Sequence, residues 1–326
     1  MLQSAPTPAN PPTQWNVAVL AGGPSAERDI SLESGQAVQH ALRERGHRAC
    51  LVDPSENDLS TTCWSEFDAA FIALHGEFGE DGQVQRLLET QGIPYTGTAA
   101  KESAVIFSKT ALKHRFQQAG VSTPPFAVIR ETDDASHIQS RARQLGFPLV
   151  VKPDKQGSSL GVSLVESFDA LPAALTACFH FGSVALLEVA VPGTEWTAGY
   201  LDQDALPLIQ IETNHTLFDF QAKYQDDNTR YHFDFDVSSD VLLKIRHQAD
   251  LACQTAGTRG LARVDIRVDQ SLHPWVLEIN SVPGLTSHSL IPMAAARMGV
   301  DLPQLCEQSI LSCLRLASAA RIKIAG

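Results

Sequence analysis

The chain has 326 residues, too many for one ordinary domain and enough for two or three. Hydrophobic residues make up 44% and charged residues 19%, a globular balance that excludes extensive disorder. Its 25 basic and 37 acidic residues give a net charge of −12, which argues against a general nucleic-acid or membrane-surface binder. Any anionic ligand must therefore be met by a local basic pocket.

Cys50, Cys63, Cys178, Cys253, Cys306 and Cys313 form no CxxC pair and read as reduced, mostly buried small hydrophobes. No run of about 18 apolar residues occurs, so no transmembrane helix is expected. The opening MLQSAPTPANPPTQWN lacks the basic and apolar regions of a secretory signal. Residues 1–15 are expected to be a flexible arm, and the location cytoplasmic.

In chain order, Asn16–Leu20 reads as a strand, Ala21–Ser25 as a Gly turn, and Ala26–Arg45 as a helix, the opening of a βαβ unit. Strands are expected at Arg48–Val52 and Ala69–Leu74, a helix at Gly82–Thr90 and an extended piece at Gly92–Tyr95. These form an α/β domain over residues 16–108. A second unit, residues 109–193, opens with helix Lys109–Ala119 closed by Gly120. It continues with strand Phe126–Ile129, helix Ile138–Leu145, strand Leu149–Pro153, extended Val162–Val165, helix Leu171–Cys178 and strand Val184–Val189. Residues 194–326 are strand-rich: Trp196–Leu201, Leu206–Glu212, Ala262–Val268 and Trp275–Ile279, with helices Asp240–Ala256 and Leu302–Ser318. Asn214–Asp236 reads as a long functional loop. The fold class is α/β (α+β).

The residues that carry chemistry fall into six groups. Gly157-Ser158-Ser159-Leu160-Gly161 follows Lys152 and offers N–H and O–H donors in one concavity, which suits a phosphate. A flexible hairpin tip is the bland alternative. Residues 262–268 alternate apolar and charged, and Trp275, Leu277 and Ile279 alternate with Val276, Glu278 and Asn280. A hairpin register that sets Asp265 opposite Glu278 and Arg263 opposite Asn280 gathers carboxylates, an amide oxygen and a guanidinium on one face. Oxygen donors without His or Cys favour Mg²⁺ over Zn²⁺; a solvated salt bridge is the alternative. Gly284 in Pro283–Leu290 permits close backbone approach to a ligand, and Ser287–Leu290 opens a helix whose free N–H groups suit a carboxylate. Ser287 or Ser289 could equally be an ordinary N-cap. Glu27, with Ser34 beyond it, is by itself a capping or dipole residue, and as a site group would hold an ammonium. His75-Gly76-Glu77-Phe78-Gly79-Glu80-Asp81-Gly82 ends a buried strand, where α/β folds place ligands. Ala222-Lys223-Tyr224 sits in the long loop as a lid contact.

Together the stretches GGPSAERDISLESG, ALHGEFGEDG, PYTG, VKPDKQGSSLGVS, AKY, ARVDIR and LEINSVPGLTSHSLIPMAAARMG resemble the D-alanine–D-alanine ligases of the ATP-grasp superfamily, over roughly Val17 to Val300. The resemblance implies an ATP-grasp architecture of three domains. The first is a doubly wound parallel-sheet domain, and the central and C-terminal domains sandwich ATP. It implies ATP-dependent joining of two D-alanines through a D-alanyl phosphate, for peptidoglycan precursors. It also implies two Mg²⁺ (or Mn²⁺) ions and a homodimer.

Residue by residue, Lys109 and Lys152 match phosphate contacts, with Ser159 in the phosphate loop. Glu188 and the Val191 backbone match the adenine hinge, and Glu195 the ribose. Asp265, Glu278 and Asn280 match the metal ligands. Arg263 and the Gly284 N–H match the oxyanion site. Glu27 matches the group that orients the first alanine's ammonium, and His75 lies near that substrate. Ser289, the Leu290 N–H and Lys223 match the second carboxylate site. Ser158 and Tyr224 match the hydrogen-bonded pair that joins loop and lid to Glu27. The chain departs from the family at Val189, where Lys is common, at Ala190, where a bulky residue is common, and in Leu217–Tyr224, where Tyr and Glu are common. The retained Tyr224 favours an amine nucleophile over D-lactate.

Overall fold

The computed structural model describes residues 14–213 and 228–325. The apolar runs Asn16–Leu20 (β1), Arg48–Val52 (β2) and Ala69–Ile72 (β3) make a parallel sheet in the order β2-β1-β3. β3 is buried throughout, as a strand covered on both faces is. Helix α1 (Arg28–Glu44) connects β1 to β2 and buries Ser31, Ser34, Gly35, Val38, Ala41 and Leu42, a stripe at helical spacing. Gly35 lets the helix settle onto the sheet: a Cβ there would lie 2.2 Å from the Ala21 Cβ. Helix α2 (Gln83–Gln91) follows β3, and Tyr95 bridges Ala70 in parallel. Helix α3 (Ala100–Phe107) is not foreseen in the sequence. It is about two turns long, and its buried face mixes Ala100 and Ser103 with Ile106 and Phe107, so it lacks a clear apolar stripe.

Helix α4 (Lys109–Ala119) ends at Gly120, whose φ of 75° is the usual left-handed stop. The next strands are β4 (Phe126–Arg130), β5 (Leu149–Pro153), β6 (Ser163–Val165) and β7 (Val184–Val189), paired antiparallel in the order β4-β7-β5-β6. Helices α5 (Ala135–Leu145) and α6 (Leu171–Phe179) supply Ala142, Leu171, Leu175 and Cys178 to a core with Leu149, Val151 and Leu187.

The third sheet runs β10-β9-β8-β11-β12, from β8 (Gly193–Leu201), β9 (Asp204–Glu212), β10 (Arg230–His232), β11 (Leu261–Asp269) and β12 (Pro274–Asn280). β10 corrects the expectation of unbroken loop over 214–236, because Arg230 pairs with Glu212 and His232 with Gln210 at the sheet edge. Three residues carry too little alternation to announce a strand. Helix α7 (Ser239–Ala256) packs Val241, Ile245 and Ala249 on Trp196, Ile266 and Val276, and α4 adds Leu112 and Phe116 to this core. Helix α8 (Leu290–Ala296) packs on β8 and β9, and α9 (Leu302–Ala325) on α1 and β3, with Ile291, Leu305 and Ile310 in one core with Val17, Val19 and Val38.

The β11–β12 pairing sets Asp265 opposite Glu278 and Arg263 opposite Asn280, as expected, and then shifts so that Ile266 meets Val276. Leu277 is the extra residue of a bulge. The expected alternation therefore fails beyond it. Val276 and Ile279 are buried in the same core, whereas Leu277 turns to the cavity side beside Glu278. Ile279→Ala should cost about 2–4 kcal/mol in urea unfolding, the usual loss for a buried aliphatic truncation. Leu277→Ala should cost less than half of that. Equal losses would show that the alternation continues unbroken.

Candidate functional site

The second and third sheets face each other across a cavity of about 390 Å³, lined by Val150, Lys152, Val189, Ala190, Val191 and Leu277 among others. The walls are largely apolar, with Lys109, Lys152, Glu188, Glu195, Asp265, Arg267 and Glu278 projecting into or bordering it. A smaller cavity of about 60 Å³ adjoins it and shares Lys109, Gln156 and Glu278. The smaller one is polar, with Glu27, His75, Glu80, Ser158, Arg263, Asn280, Ser281 and Gly284 in its lining.

Lys109 sits in the first turn of α4. Ser108 caps that helix by accepting from the Ala111 N–H (3.2 Å) and donates to the Asp154 carboxylate (3.0 Å). Asp154 in turn accepts from the Thr110 N–H (2.8 Å), which ties the helix to the loop after β5. Lys109 Nζ donates to the Gln156 carbonyl (2.8 Å) and pairs with Glu278 (3.2 Å). In the loop that follows, Ser158 (φ 49°) and Ser159 (φ 58°) hold left-handed backbone, a conformation uncommon for residues with a Cβ. Ser158 Oγ donates to the Glu27 carboxylate. Glu27 sits at the N-cap of α1 but makes no side-chain cap bond, so the capping alternative does not hold. Gly76 and Gly157 flank it so closely that a Cβ on either would come within 2.7 and 2.5 Å of Glu27 Oε2.

Lys152, at the end of β5, pairs with Glu188 on β7, and Lys113 of α4 pairs with the other oxygen of the same carboxylate. Burial opposes ionisation of Glu188, but the two ammonium groups outweigh it and hold its carboxyl below the usual range. Burial also opposes the charge on Lys152, yet Glu188 and then Glu278 keep its pKa above the ordinary lysine value. Lys113 is the more deeply buried partner, and there burial wins and pushes it down. Glu195 pairs with Arg267 (3.1 Å), whose guanidinium also donates to the Val191 carbonyl (3.2 Å). That contact holds the hinge Glu188–Val191 against β11.

Arg263 donates to both oxygens of Asp265 (2.8 and 2.7 Å), and Thr197 Oγ1 donates to Asp265 Oδ1 (3.0 Å). Asn280 Oδ1 accepts from the Val282 N–H (2.9 Å). Among the described residues no group of three His, Cys, Asp or Glu is arranged for a metal. The donor set here is two opposed carboxylates and an amide oxygen, each carboxylate balanced by a cationic side chain. Its hardness fits Mg²⁺ or Mn²⁺ and excludes a thiolate-type zinc centre.

His75 Nε2 lies 3.3 Å from Ser34 Oγ, which accepts from the Leu285 N–H (3.3 Å). His75 Nδ1 lies 3.6 Å from Glu80, whose carboxyl is pushed up by burial against the pull of the His75 hydrogen bond. Ser289 stands at the N-cap position before Leu290 but turns its hydroxyl back to Thr286, accepting from its N–H (3.0 Å). A Cβ on Gly284 would meet that hydroxyl at 2.9 Å, so Ser289 and Gly284 are neighbours. Lys223, Tyr224 and the rest of Leu217–Tyr224 lie outside the described residues.

Sequence reasoning missed Lys113, Thr197 and the role of Arg267, whereas Glu80 lies in the His75–Gly82 stretch already read as a ligand wall. Lys113 recurs four residues after Lys109, which places it on the same helix face, but nothing local shows its burial. The other two are placed by strand register, which single residues do not report.

A parallel sheet, and two antiparallel sheets that close on a cavity with lysines and paired carboxylates, define an ATP-grasp ligase. The comparisons with known proteins agree. Residues 52–98 match the model described as D-ala D-ala ligase N-terminus, and residues 116–311 match D-ala D-ala ligase C-terminus. The chain is 42% identical to the D-alanine--D-alanine ligase of Ectopseudomonas mendocina, over 91% of this chain and 94% of that one. It is 43% identical to that of Nitrosospira multiformis, over 92% and 96%. The structure resembles a D-alanine--D-alanine ligase from Bacillus anthracis complexed with ATP, with TM-score 0.83, 27% identity and coverage of 94% and 99%. A second structure of the Bacillus anthracis enzyme gives 0.84 at 31% identity. The chain belongs to the D-alanine–D-alanine ligase family. Among the described residues, no helix is long and apolar enough to cross a membrane.

The loop that carries Glu27 is braced by Asp53, which is buried and accepts from the Gly23 N–H (2.9 Å) and from Arg28 (3.0 Å). Burial raises the Asp53 pKa, but Arg28 and the backbone donors outweigh it and hold the carboxyl below the ordinary aspartate range. A lowered folded-state pKa stabilises above the unfolded value and is lost as pH falls through the folded one. Asp53→Asn should therefore cost about 1–3 kcal/mol at neutral pH, the range for a buried charged hydrogen-bond partner. Urea melts should show that gap shrinking under acid, and a pH-independent gap would refute the charge assignment.

Proposed function

We propose that this chain joins two D-alanines into D-alanyl-D-alanine with ATP, releasing ADP and phosphate, and so supplies peptidoglycan precursors. The observation that carries this is the pair of adjoining cavities: a long apolar one of nucleotide size, and a small polar one that meets it at Lys109 and Glu278. Phosphoryl transfer from the first to the second needs that junction.

ATP occupies the larger cavity, with adenine at the hinge Glu188–Val191 and ribose at Glu195. Lys109, Lys152 and the loop around Ser159 meet the phosphates. The small Val189 and Ala190 leave the hinge to backbone and apolar contact. The first D-alanine sits in the smaller cavity, its ammonium on Glu27 and its carboxylate toward the junction, with His75 beside it. A carboxylate oxygen bonds to the γ-phosphorus as the β–γ bridging bond breaks, and ADP leaves. The second D-alanine is held by its carboxylate at Ser289, the Leu290 N–H and Lys223. Its amine loses a proton and attacks the acyl carbon. Arg263 and the Gly284 N–H hold the oxyanion until the carbon–oxygen bond to phosphate breaks. Ser158, with Tyr224, keeps Glu27 oriented. Asp265, Glu278 and Asn280 would hold Mg²⁺ or Mn²⁺, which when bound neutralises phosphate charge. A cytoplasmic location and a homodimer accompany this family assignment; light scattering checks the dimer.

Phosphate release from ATP and Mg²⁺, measured in parallel with D-alanine, L-alanine, and D-alanine plus D-lactate, tests the reaction. Release with D-alanine and a dipeptide product is expected. A depsipeptide as the main product would move the nucleophile to D-lactate, and silence with all three would sink the substrate assignment. Glu278→Gln should lower turnover by more than about a hundredfold with the melting temperature retained, since it removes charge at the reacting centre but little volume. Gly157→Ala, which drives a Cβ into Glu27, should lower kcat/KM for D-alanine by about ten- to a hundredfold through misplacement of that carboxylate. An unchanged value would separate Glu27 from substrate orientation.

A further inference from the structure

Lys113 is 1% exposed and absent from the cavity lining, yet it touches the carboxylate that the lining depends on. Its ammonium pairs with one oxygen of Glu188 while Lys152 pairs with the other. It donates to Thr123 Oγ1 (2.5 Å), which donates on to the Val276 carbonyl of β12 (2.8 Å). It also lies 5.7 Å from the ring centroid of Phe126, the cross-strand neighbour of Glu188. One amine thus joins α4, β4, β7 and β12 behind the cavity wall.

The charges decide what this arrangement does. Lys152 and Glu188 alone cancel, and an ammonium fully matched by a buried carboxylate is a poor partner for a phosphate. With Lys113 the three groups sum to one surplus positive charge. In a buried setting that surplus is weakly screened. Because Lys113 is walled off and Lys152 borders the cavity, the surplus is presented through Lys152. We propose that Lys113 is a positioning residue that satisfies Glu188 from behind and thereby leaves Lys152 free to meet the nucleotide's phosphates. This rests on the assignment of ATP to the larger cavity.

The test is calorimetric binding of ATP with Mg²⁺, and of adenosine, to the wild-type chain, Lys113→Met, Lys113→Arg and the double variant Lys113→Met/Glu188→Gln. Lys113→Met should lower the ratio of ATP to adenosine affinity by about tenfold or more, one decade being a modest share of a buried charge pair. Lys113→Arg should recover most of it. The double variant restores the surplus of one and should return the ratio to within about threefold of wild type, a non-additive result that packing loss alone does not give. A ratio unchanged in Lys113→Met, or a further loss in the double variant, would overturn the proposal. If Lys113→Met does not fold, the double variant alone decides, with a tenfold or greater fall in its ratio counting against the proposal. A wild-type chain that binds no ATP would instead remove the nucleotide assignment beneath it.

Discussion

The pairing of β11 with β12 is the constraint on which the site depends. It sets Asp265 against Glu278 and Arg263 against Asn280, so two carboxylates, an amide and a guanidinium converge without any loop having to place them. A strand that slipped by one residue would send all of them to the other face. The bulge at Leu277 then lets a single strand serve two surroundings. On one side of it Val276 and Ile279 stay in the core, and on the other Leu277 and Glu278 both reach the cavity. Regular alternation could not present two consecutive residues to one face.

Around that pairing the electrostatics are balanced locally. The chain is acidic overall, yet the cations that border the cavities each meet a carboxylate: Lys109 with Glu278, Lys152 with Glu188, Arg263 with Asp265 and Arg267 with Glu195. Each charge is thus held in place before any ligand arrives, which is the physical content of preorganisation. The cost of burying them is offset by pairing, and the pairings set which carboxylate remains available to a cation and which ammonium to an anion.

Much of this was legible in the chain. The strands from β1 to β12 longer than four residues, the Gly-closed helix α4 and the cross-strand partners of Asp265 and Arg263 follow from period-two and helical patterns. What escaped has a common cause. α3 and β10 are too short for periodicity to register, and the bulge at Leu277 breaks a pattern that the residues alone continue. Glu27 reads locally as a helix-capping acid, and only the approach of the loop bearing Ser158 converts it into a site group. Lys113 reads as one more helix lysine until Glu188, distant in sequence, is brought against it.

The same residues explain why the smaller cavity lies where it does. Its lining is drawn from all three sheets and their loops: Glu27 and His75 follow strands of the first, Ser158 follows β5 of the second, and Arg263 and Asn280 lie on the third. Among the polar ties between them are the Ser158 to Glu27 bond and the Ser34 link from His75 to the Leu285 N–H. The second sheet keeps a core of its own, whereas the first and third sheets share one through Val17, Phe71, Ile209 and Leu261. A site placed at such a junction gains donors and acceptors from every layer, at the cost of depending on hydrogen bonds as well as packing for its shape. Hydrogen bonds between exact partners tolerate little displacement. That is why Gly76 and Gly157, which leave the Glu27 carboxylate no spare room, are as much a part of the site as the groups that react.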